Sequence, residues 1–168
     1  MGCLRLAKSV SHLRESSVWH NLSRAGRGNK IADRVEAIVG ITYVAYSPLS
    51  RGLLTDTFKT VTDLAENDMR RMRPRFQPDV FDHNVQLANA VGEIAKAKGV
   101  TTAQVALAWV RVKGAVPIFS ATTRERIREN LVEVELSEEE METLEQLLQG
   151  FEVKGGRYPV GHEKYLSQ

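Results

Sequence analysis

The chain has little of several features that mark specialised classes of protein. Its 168 residues include one cysteine, Cys3, which excludes an internal disulfide or a cysteine-based zinc site and fits a reducing, cytoplasmic compartment. No apolar run reaches the ~18 residues that a membrane span requires. The 23 basic and 21 acidic residues leave a net charge of +2, too balanced for a dedicated nucleic-acid-binding protein. We therefore expect one compact domain whose partners are neither membranes nor nucleic acids.

Positive charge is concentrated at the N-terminus. Residues 1–30 contain six basic residues against one acidic residue, Glu15, and they are rich in serine. This composition is typical of a mitochondrial transit peptide, but a poorly ordered basic terminus is the explanation we favour. We therefore treat residues 1–30 as an unmatched N-terminal segment, separate from a globular region over 31–168.

Signals of regular structure begin in the globular region. The spacing of apolar residues predicts a short helix over 31–39. The β-branched and aromatic run 41–46 predicts a buried strand, and residues 47–52 contain the proline and glycine that break it into a loop. Residues 56–82 are polar and irregular and predict a long loop. Its basic cluster is expected to form a solvated face rather than a nucleic-acid site. The cluster comprises Arg70, Arg71, Arg73 and Arg75.

Two helices are predicted after the long loop. Residues 83–98 carry one apolar stripe and are followed by Gly99, which favours a helix end. Thr101 or Thr102 is expected to cap the next helix. Its inward face is predicted to comprise Val105, Ala108, Trp109 and Val112.

A second strand and two further helices complete the pattern. Residues 115–119 predict the strand, with Pro117 expected near its start because proline cannot donate to a sheet. Thr122 and Glu125 predict a capping box for a helix to about residue 131. A second capping box, Ser137 with Glu140, predicts a helix with one apolar face. That face comprises Met141, Leu144, Leu147, Leu148 and Phe151.

The order of these elements indicates the α/β class. Two strands joined through helices are expected to pair in parallel, because a helical crossover returns the chain to the same sheet in the same direction. Two strands cannot close a barrel, and a parallel sheet needs both faces covered. By this reasoning the globular region is an incomplete structure.

Several ordered motifs resemble aldo-keto reductases. Residues 41–52 (ITYVAYSPLSRG) are similar to the seventh strand of that family and the loop that follows, and residues 99–110 (GVTTAQVALAWV) are similar to its seventh helix. Residues 116–131 resemble the eighth strand and the cofactor-binding helix. Residues 73–78 and 155–159 resemble the branch that contains pyridoxal reductase. The resemblance implies part of a (β/α)8 TIM barrel, a fold of about 250 residues. Only strands seven and eight with their helices have a counterpart, so we expect a truncated domain.

The resemblance also implies an NADP(H) site. Arg126 would bind the 2′-phosphate, Glu129 and Asn130 would approach the adenine, and Tyr46 would stack on the nicotinamide. The other residues implied by the resemblance would line the path between these ends. They are Ser47, Pro48, Leu49, Arg51, Ser120, Ala121, Thr122 and Thr123.

Each assignment has a structural alternative, and three positions depart from the family pattern. Tyr46 could be an ordinary strand aromatic, Arg126 and Glu129 a surface ion pair, and the two threonines simple helix caps. The family favours glycine where this chain has Ser50, and proline then glycine where it has Phe119-Ser120. Glycine tolerates a positive φ that serine resists.

The implied reaction is the reduction of an aldehyde or ketone by NADPH. The family's catalytic Asp, Tyr, Lys and His lie before the seventh strand, and no motif here matches them, so no catalytic residue is assigned. The four histidines lack ligand spacing, and no metal site is expected. The alternative is an inactive remnant that acts at most as a nucleotide-binding or interaction module, associating through its unclosed edges.

Overall fold

The computed structural model describes residues 43–156, 158 and 159. The basic N-terminal segment and the helix expected at 31–39 lie outside this part, as do three of the histidines. The described α-helices and strands, in chain order, are β1 (Tyr43–Tyr46), α1 (Pro78–Lys98), α2 (Thr102–Val112), β2 (Ala115–Ile118), α3 (Arg124–Leu131) and α4 (Glu138–Gly150). Four 3-10 turns lie between β1 and α1, at Ser50–Gly52, Val61–Asp63, Met69–Met72 and Pro74–Phe76.

The two strands pair in parallel, as predicted. Tyr43 is opposite Ala115 and Tyr46 is opposite Ile118, and α1 and α2 supply the crossover that a parallel pair needs. Pro117 is the third of the four residues of β2, opposite Ala45, so its expected place near the start of the strand is wrong. A strand with one described neighbour has an open edge, where a missing N–H donor is tolerated.

Helices cover one face of this sheet and leave the other exposed. Ala45 and Ala115 are buried in the core, and α2 packs against β2 and α1. The opposite face carries Val44, Val116 and Ile118, which are 46%, 50% and 56% exposed. A (β/α)8 barrel has the same order of layers, because its helices form the outer layer and its strands turn an apolar face toward the interior. The described part is therefore an α/β fragment with a small parallel sheet, and its strands do not close a barrel.

Helix α2 is the centre of the core. Every residue from Thr102 to Val110 is buried, because α1, β2 and α3 all pack on this helix. The prediction that only one face of this helix is buried is therefore wrong, because its whole circumference is buried over these residues. Val112 at its end is also predicted wrongly, since it is 54% exposed. The apolar stripes predicted for α1 and α4 are confirmed, with Leu87, Val91, Leu144 and Leu148 buried.

Helix ends follow local capping chemistry. The side chain of Ser137 accepts from the N–H of Glu140, whose carboxylate accepts from the N–H of Ser137, which confirms the predicted box. The cap of α3 is Thr123, whose hydroxyl accepts from the N–H of Arg126 at 3.3 Å. The predicted Thr122–Glu125 box is thus wrong by one residue, because a threonine at either position satisfies the sequence pattern.

The basic cluster of the long loop does not form a solvated face. The Arg71 guanidinium donates to the carbonyls of Leu64 and Ala65, and Arg75 donates to the carbonyl of Gly155 at 3.2 Å. An irregular loop leaves carbonyls without ladder partners, and the five donors of a guanidinium satisfy them. The expectation of solvated arginines is therefore wrong for these side chains, which hold the loop together.

Candidate functional site

The candidate site lies at the carboxyl ends of the two strands. The β1 loop (residues 47–52) and the β2 loop (residues 119–123) leave the sheet beside each other, because Tyr46 and Ile118 are paired in register. In α/β proteins with parallel strands, ligands bind at this edge of the sheet. The two segments that the motifs singled out are thus brought together by the strand pairing.

The β1 loop holds an uncommon backbone conformation. Ser47, Ser50 and Arg51 have φ values of 54°, 48° and 60°, and Gly52 has 94°. Each non-glycine residue in this region costs about 1 kcal/mol or more, so the surrounding structure must impose the conformation. Ser50 thus adopts a left-handed φ at the position where the family resemblance favours glycine.

Side chains of the β1 loop divide between the core and solvent. Pro48 and Ser50 are buried and Leu49 packs against the core, whereas Arg51 is exposed. Tyr46, the last residue of β1, is half-buried at the mouth of the loop. The buried residues anchor the loop, and the exposed ones are available to a ligand.

One side chain that holds the β1 loop was missed by sequence reasoning. Arg70 donates from Nη1 to the carbonyl oxygen of Arg51 at 3.0 Å. Asp68 binds the same guanidinium, with Nη2 and Oδ2 2.6 Å apart, and this hydrogen bond is the main cause that lowers the pKa of Asp68 to about 2. The contact spans 19 residues of sequence, and no local pattern predicts it.

The β2 loop has ordinary backbone geometry. Among the described residues other than glycine, Ser47, Ser50 and Arg51 have a positive φ, and Ser120 does not. A serine at position 120 therefore carries no such backbone strain, although the family favours glycine there. Ser120, Thr122 and Thr123 are exposed and Ala121 is half-buried.

Helix α3 presents its N-terminus and cationic side chains directly after the β2 loop. N–H groups in its first turn have no acceptor within the helix and carry a partial positive charge. Arg126 is exposed, and its guanidinium makes no ion pair or hydrogen bond with the residues that the structure describes. The surface ion pair with Glu129 that we considered is therefore not formed. This arrangement is suited to bind an anion.

The far end of α3 is fixed to α2. Gln104 donates from Nε2 to the carbonyl of Glu129 at 3.1 Å, and Arg111 donates from Nη2 to the carbonyl of Asn130 at 3.1 Å. Glu129 is half-buried and Asn130 is 5% exposed, so Asn130 and Pro48 are the two buried residues of the predicted set.

The histidine in the described part has a packing role. His83 donates from Nε2 to the carbonyl of Glu152 at 2.8 Å and stacks on Phe151 with ring centroids 4.7 Å apart. Over residues 43–156, 158 and 159, no group of three His, Cys, Asp or Glu side chains is arranged to hold a metal ion. No helix in the same part is long and apolar enough to span a membrane.

Comparison with known proteins gives a consistent result. Residues 8–149, a range that includes most of the basic N-terminal segment, match the model of the aldo/keto reductase family. An aldo-keto reductase of Gibberella moniliformis is 38% identical over 122 residues, which are 70% of this chain and 37% of that protein. Aldo-keto reductase yakc [NADP(+)] of Schizosaccharomyces pombe is 36% identical over 72% of this chain and 37% of its own length. Aldo-keto reductase str7 of Strobilurus tenacellus is 35% identical over 71% of this chain and 37% of its own length. The chain thus spans just over a third of these relatives.

Proposed function

This chain belongs to the aldo/keto reductase family, and from that membership we propose that it binds NADP(H) at the carboxyl ends of β1 and β2. We further propose that it serves in an oxidoreductase that reduces an aldehyde or ketone. One observation supports the binding proposal most directly. The register of Tyr46 with Ile118 sets a strained loop beside a helix N-terminus that carries Arg126, whose guanidinium is unpaired among the described residues.

The phosphate end of the dinucleotide is assigned to α3. Arg126 lies in the first turn of the helix, and its guanidinium can bind a phosphate with two parallel hydrogen bonds. The N–H groups of the first turn add the favourable end of the helix dipole. This chemistry fits the 2′-phosphate of NADP(H), and a relative named for NADP(+) agrees with that choice.

The nicotinamide end is assigned to β1 and its loop. The half-buried ring of Tyr46 offers a flat apolar surface for stacking, and residues 47–51 would follow the ribose and pyrophosphate. The exposed Arg51 adds positive charge to that path. When bound, NADPH supplies a hydride for carbonyl reduction. The described residues hold and orient the dinucleotide, and we assign no catalytic acid among them.

A nucleotide-binding module without turnover is the second candidate. The observation that favours it is the exposed sheet face of Val44, Val116 and Ile118. Apolar surface of this kind is typical of a site that binds another polypeptide. The two candidates share the nucleotide site and differ in turnover.

Dinucleotide titration tests the proposal. The fluorescence of NADPH and NADH is measured as the purified chain is added, for the wild type, Arg126→Ala and Arg128→Ala. Arg128 lies two residues further along α3, about 200° around the helix, and serves as the matched control. We expect Arg126→Ala to weaken NADPH binding about tenfold, with NADH binding and the control unchanged. Equal NADPH binding by both variants would contradict the role of Arg126, and a wild type that binds neither dinucleotide would refute the site.

Turnover separates the two candidates. The oxidation of NADPH is followed by absorbance with a panel of aldehydes and ketones. Consumption that depends on the carbonyl compound supports the reductase, and tight binding without consumption supports the module.

A further inference from the structure

Arg70 connects the long loop to the β1 loop through a guanidinium whose three nitrogens all donate hydrogen bonds. Its Nη1 donates to the carbonyl oxygen of Arg51 at 3.0 Å. Asp68 holds the rest of the group, with Nε 3.0 Å from Oδ1 and Nη2 2.6 Å from Oδ2. A forked pair of this kind fixes the plane of a guanidinium as well as its position.

The same guanidinium is anchored to the core. It lies 4.8 Å from the ring centroid of Phe58, and Phe58 is 5% exposed. That ring packs with Phe76 and Phe81, with centroids 6.2 and 6.1 Å away. A guanidinium stacked on a buried ring is attracted to the face of that ring, which restricts its movement. The Arg70 guanidinium is therefore held in place as a support beside the β1 loop.

Gly52 allows this support to approach the β1 loop. A Cβ at Gly52 would lie 3.2 Å from Nη1 of Arg70 and 3.3 Å from Cε1 of Phe58, and its φ of 94° disfavours any side chain. The support thus reaches the backbone next to Arg51 and Ser50, two residues of the β1 loop that have a positive φ. A strained loop keeps its shape only when its surroundings impose it.

We propose that Arg70 is a positioning residue that holds the carbonyl of Arg51, and with it the β1 loop, in the shape that receives the dinucleotide's pyrophosphate. This inference rests on the proposed function. Apparent affinity falls in proportion to the fraction of molecules that hold the competent shape. If the loss of Arg70 leaves about a tenth of the loops in that shape, the dissociation constant rises about tenfold.

The experiment compares Arg70→Met with Arg71→Met. Methionine keeps an apolar stem over Phe58 but removes the donors. Arg71 bonds the carbonyls of Leu64 and Ala65 within the long loop, so its variant controls for general loosening of that loop. Dissociation constants for NADPH and NADH are measured by fluorescence titration. Amide hydrogen exchange is measured over residues 47–52, because a released loop exchanges faster.

We expect Arg70→Met to weaken the binding of NADPH and of NADH about tenfold each. The ratio of the two dissociation constants should not change, because the pyrophosphate is common to both dinucleotides. Exchange over residues 47–52 should rise in this variant and not in Arg71→Met. A change in the ratio, as expected for Arg126→Ala, would place Arg70 at the 2′-phosphate and overturn the inference.

Other outcomes are equally decisive. Equal affinities for Arg70→Met and Arg71→Met, with a wild type that binds, overturn the inference and leave the proposed function standing. A wild type that binds neither dinucleotide overturns both. If Arg70→Met does not fold, Asp68→Asn replaces it. That variant keeps the arginine but loosens its plane, and a smaller rise in both constants is expected; no rise overturns the inference.

Discussion

Replacing Asn84 is expected to release the C-terminal segment from the rest of the fold. Asn84 lies in α1 and is 0% exposed. Its Nδ2 donates to the carbonyls of Arg75 at 3.1 Å and Lys154 at 3.0 Å, and its Oδ1 accepts from the N–H of Lys154 at 3.0 Å. One buried amide therefore joins α1, the long loop and the segment after α4.

The expected loss of stability in Asn84→Ala follows from the number of hydrogen bonds that Asn84 makes and from their exposure to water. Three hydrogen bonds at about 1 kcal/mol each give about 3 kcal/mol. Lys154 is exposed, so water can replace part of its two bonds in the variant. We therefore expect Asn84→Ala to lower the free energy of unfolding by about 2 kcal/mol.

Urea denaturation of the purified chain measures this loss. The control is Asn89→Ala, an exposed position on the same helix, for which we expect a change within about 0.5 kcal/mol. Proteolysis within residues 152–156 should also become faster in Asn84→Ala and not in the control. Equal stability of the two variants would refute the reasoning, because the three bonds would then contribute nothing.

Three further predictions concern the β1 loop, its support and the last helix. Gly52→Ala should lower the free energy of unfolding by about 1–2 kcal/mol in a denaturation assay, since alanine is strained at positive φ. Gly150→Ala is the control, because a Cβ at that position meets no atom within 4 Å, and its free energy of unfolding should change little. The pKa of Asp68 is lowered to about 2, chiefly by its hydrogen bond to Arg70. The contribution of the ionised carboxylate to folding stability is therefore complete above about pH 4 and is lost as the pH falls toward 2. The stability difference between wild type and Asp68→Asn should therefore shrink by about 1–2 kcal/mol over that range; a constant difference would contradict the ion pair. Ser137→Ala should cost about 1 kcal/mol, because the cap of α4 is lost, and an unchanged melting temperature would contradict this.

The sequence predicted those elements whose signals are local. Helix α4 has a capping box and an apolar stripe within its own residues, and both are confirmed. Strand β1 was predicted from its β-branched and aromatic run, but the expected burial holds for Ala45 and is wrong for Val44, which is 46% exposed. The cap of α3 was missed by one residue because Thr122 and Thr123 are adjacent and equally able to cap.

The long loop could not be predicted in the same way. Its four arginines lie in a polar and irregular run, so their composition suggested a solvated face. In the structure Arg75 bonds the carbonyl of Gly155, which lies 80 residues away. Bonds of such separation depend on the completed fold, and no pattern within one segment contains them. The site residues were proposed from family resemblance, and the support from Arg70 was missed for the same physical reason.

The support of the candidate site comes from the helical side of the sheet. Arg70 holds the β1 loop from the long loop. Gln104 and Arg111 of α2 hold the carbonyls at the end of α3, groups that a helix leaves without partners. The exposed face opposite the helices carries Val44 and Val116, whose apolar side chains can supply no hydrogen bond to either loop. The β1 loop and the end of α3 are therefore held by the long loop and by α2, and a candidate site at these strand ends takes part of its shape from those contacts.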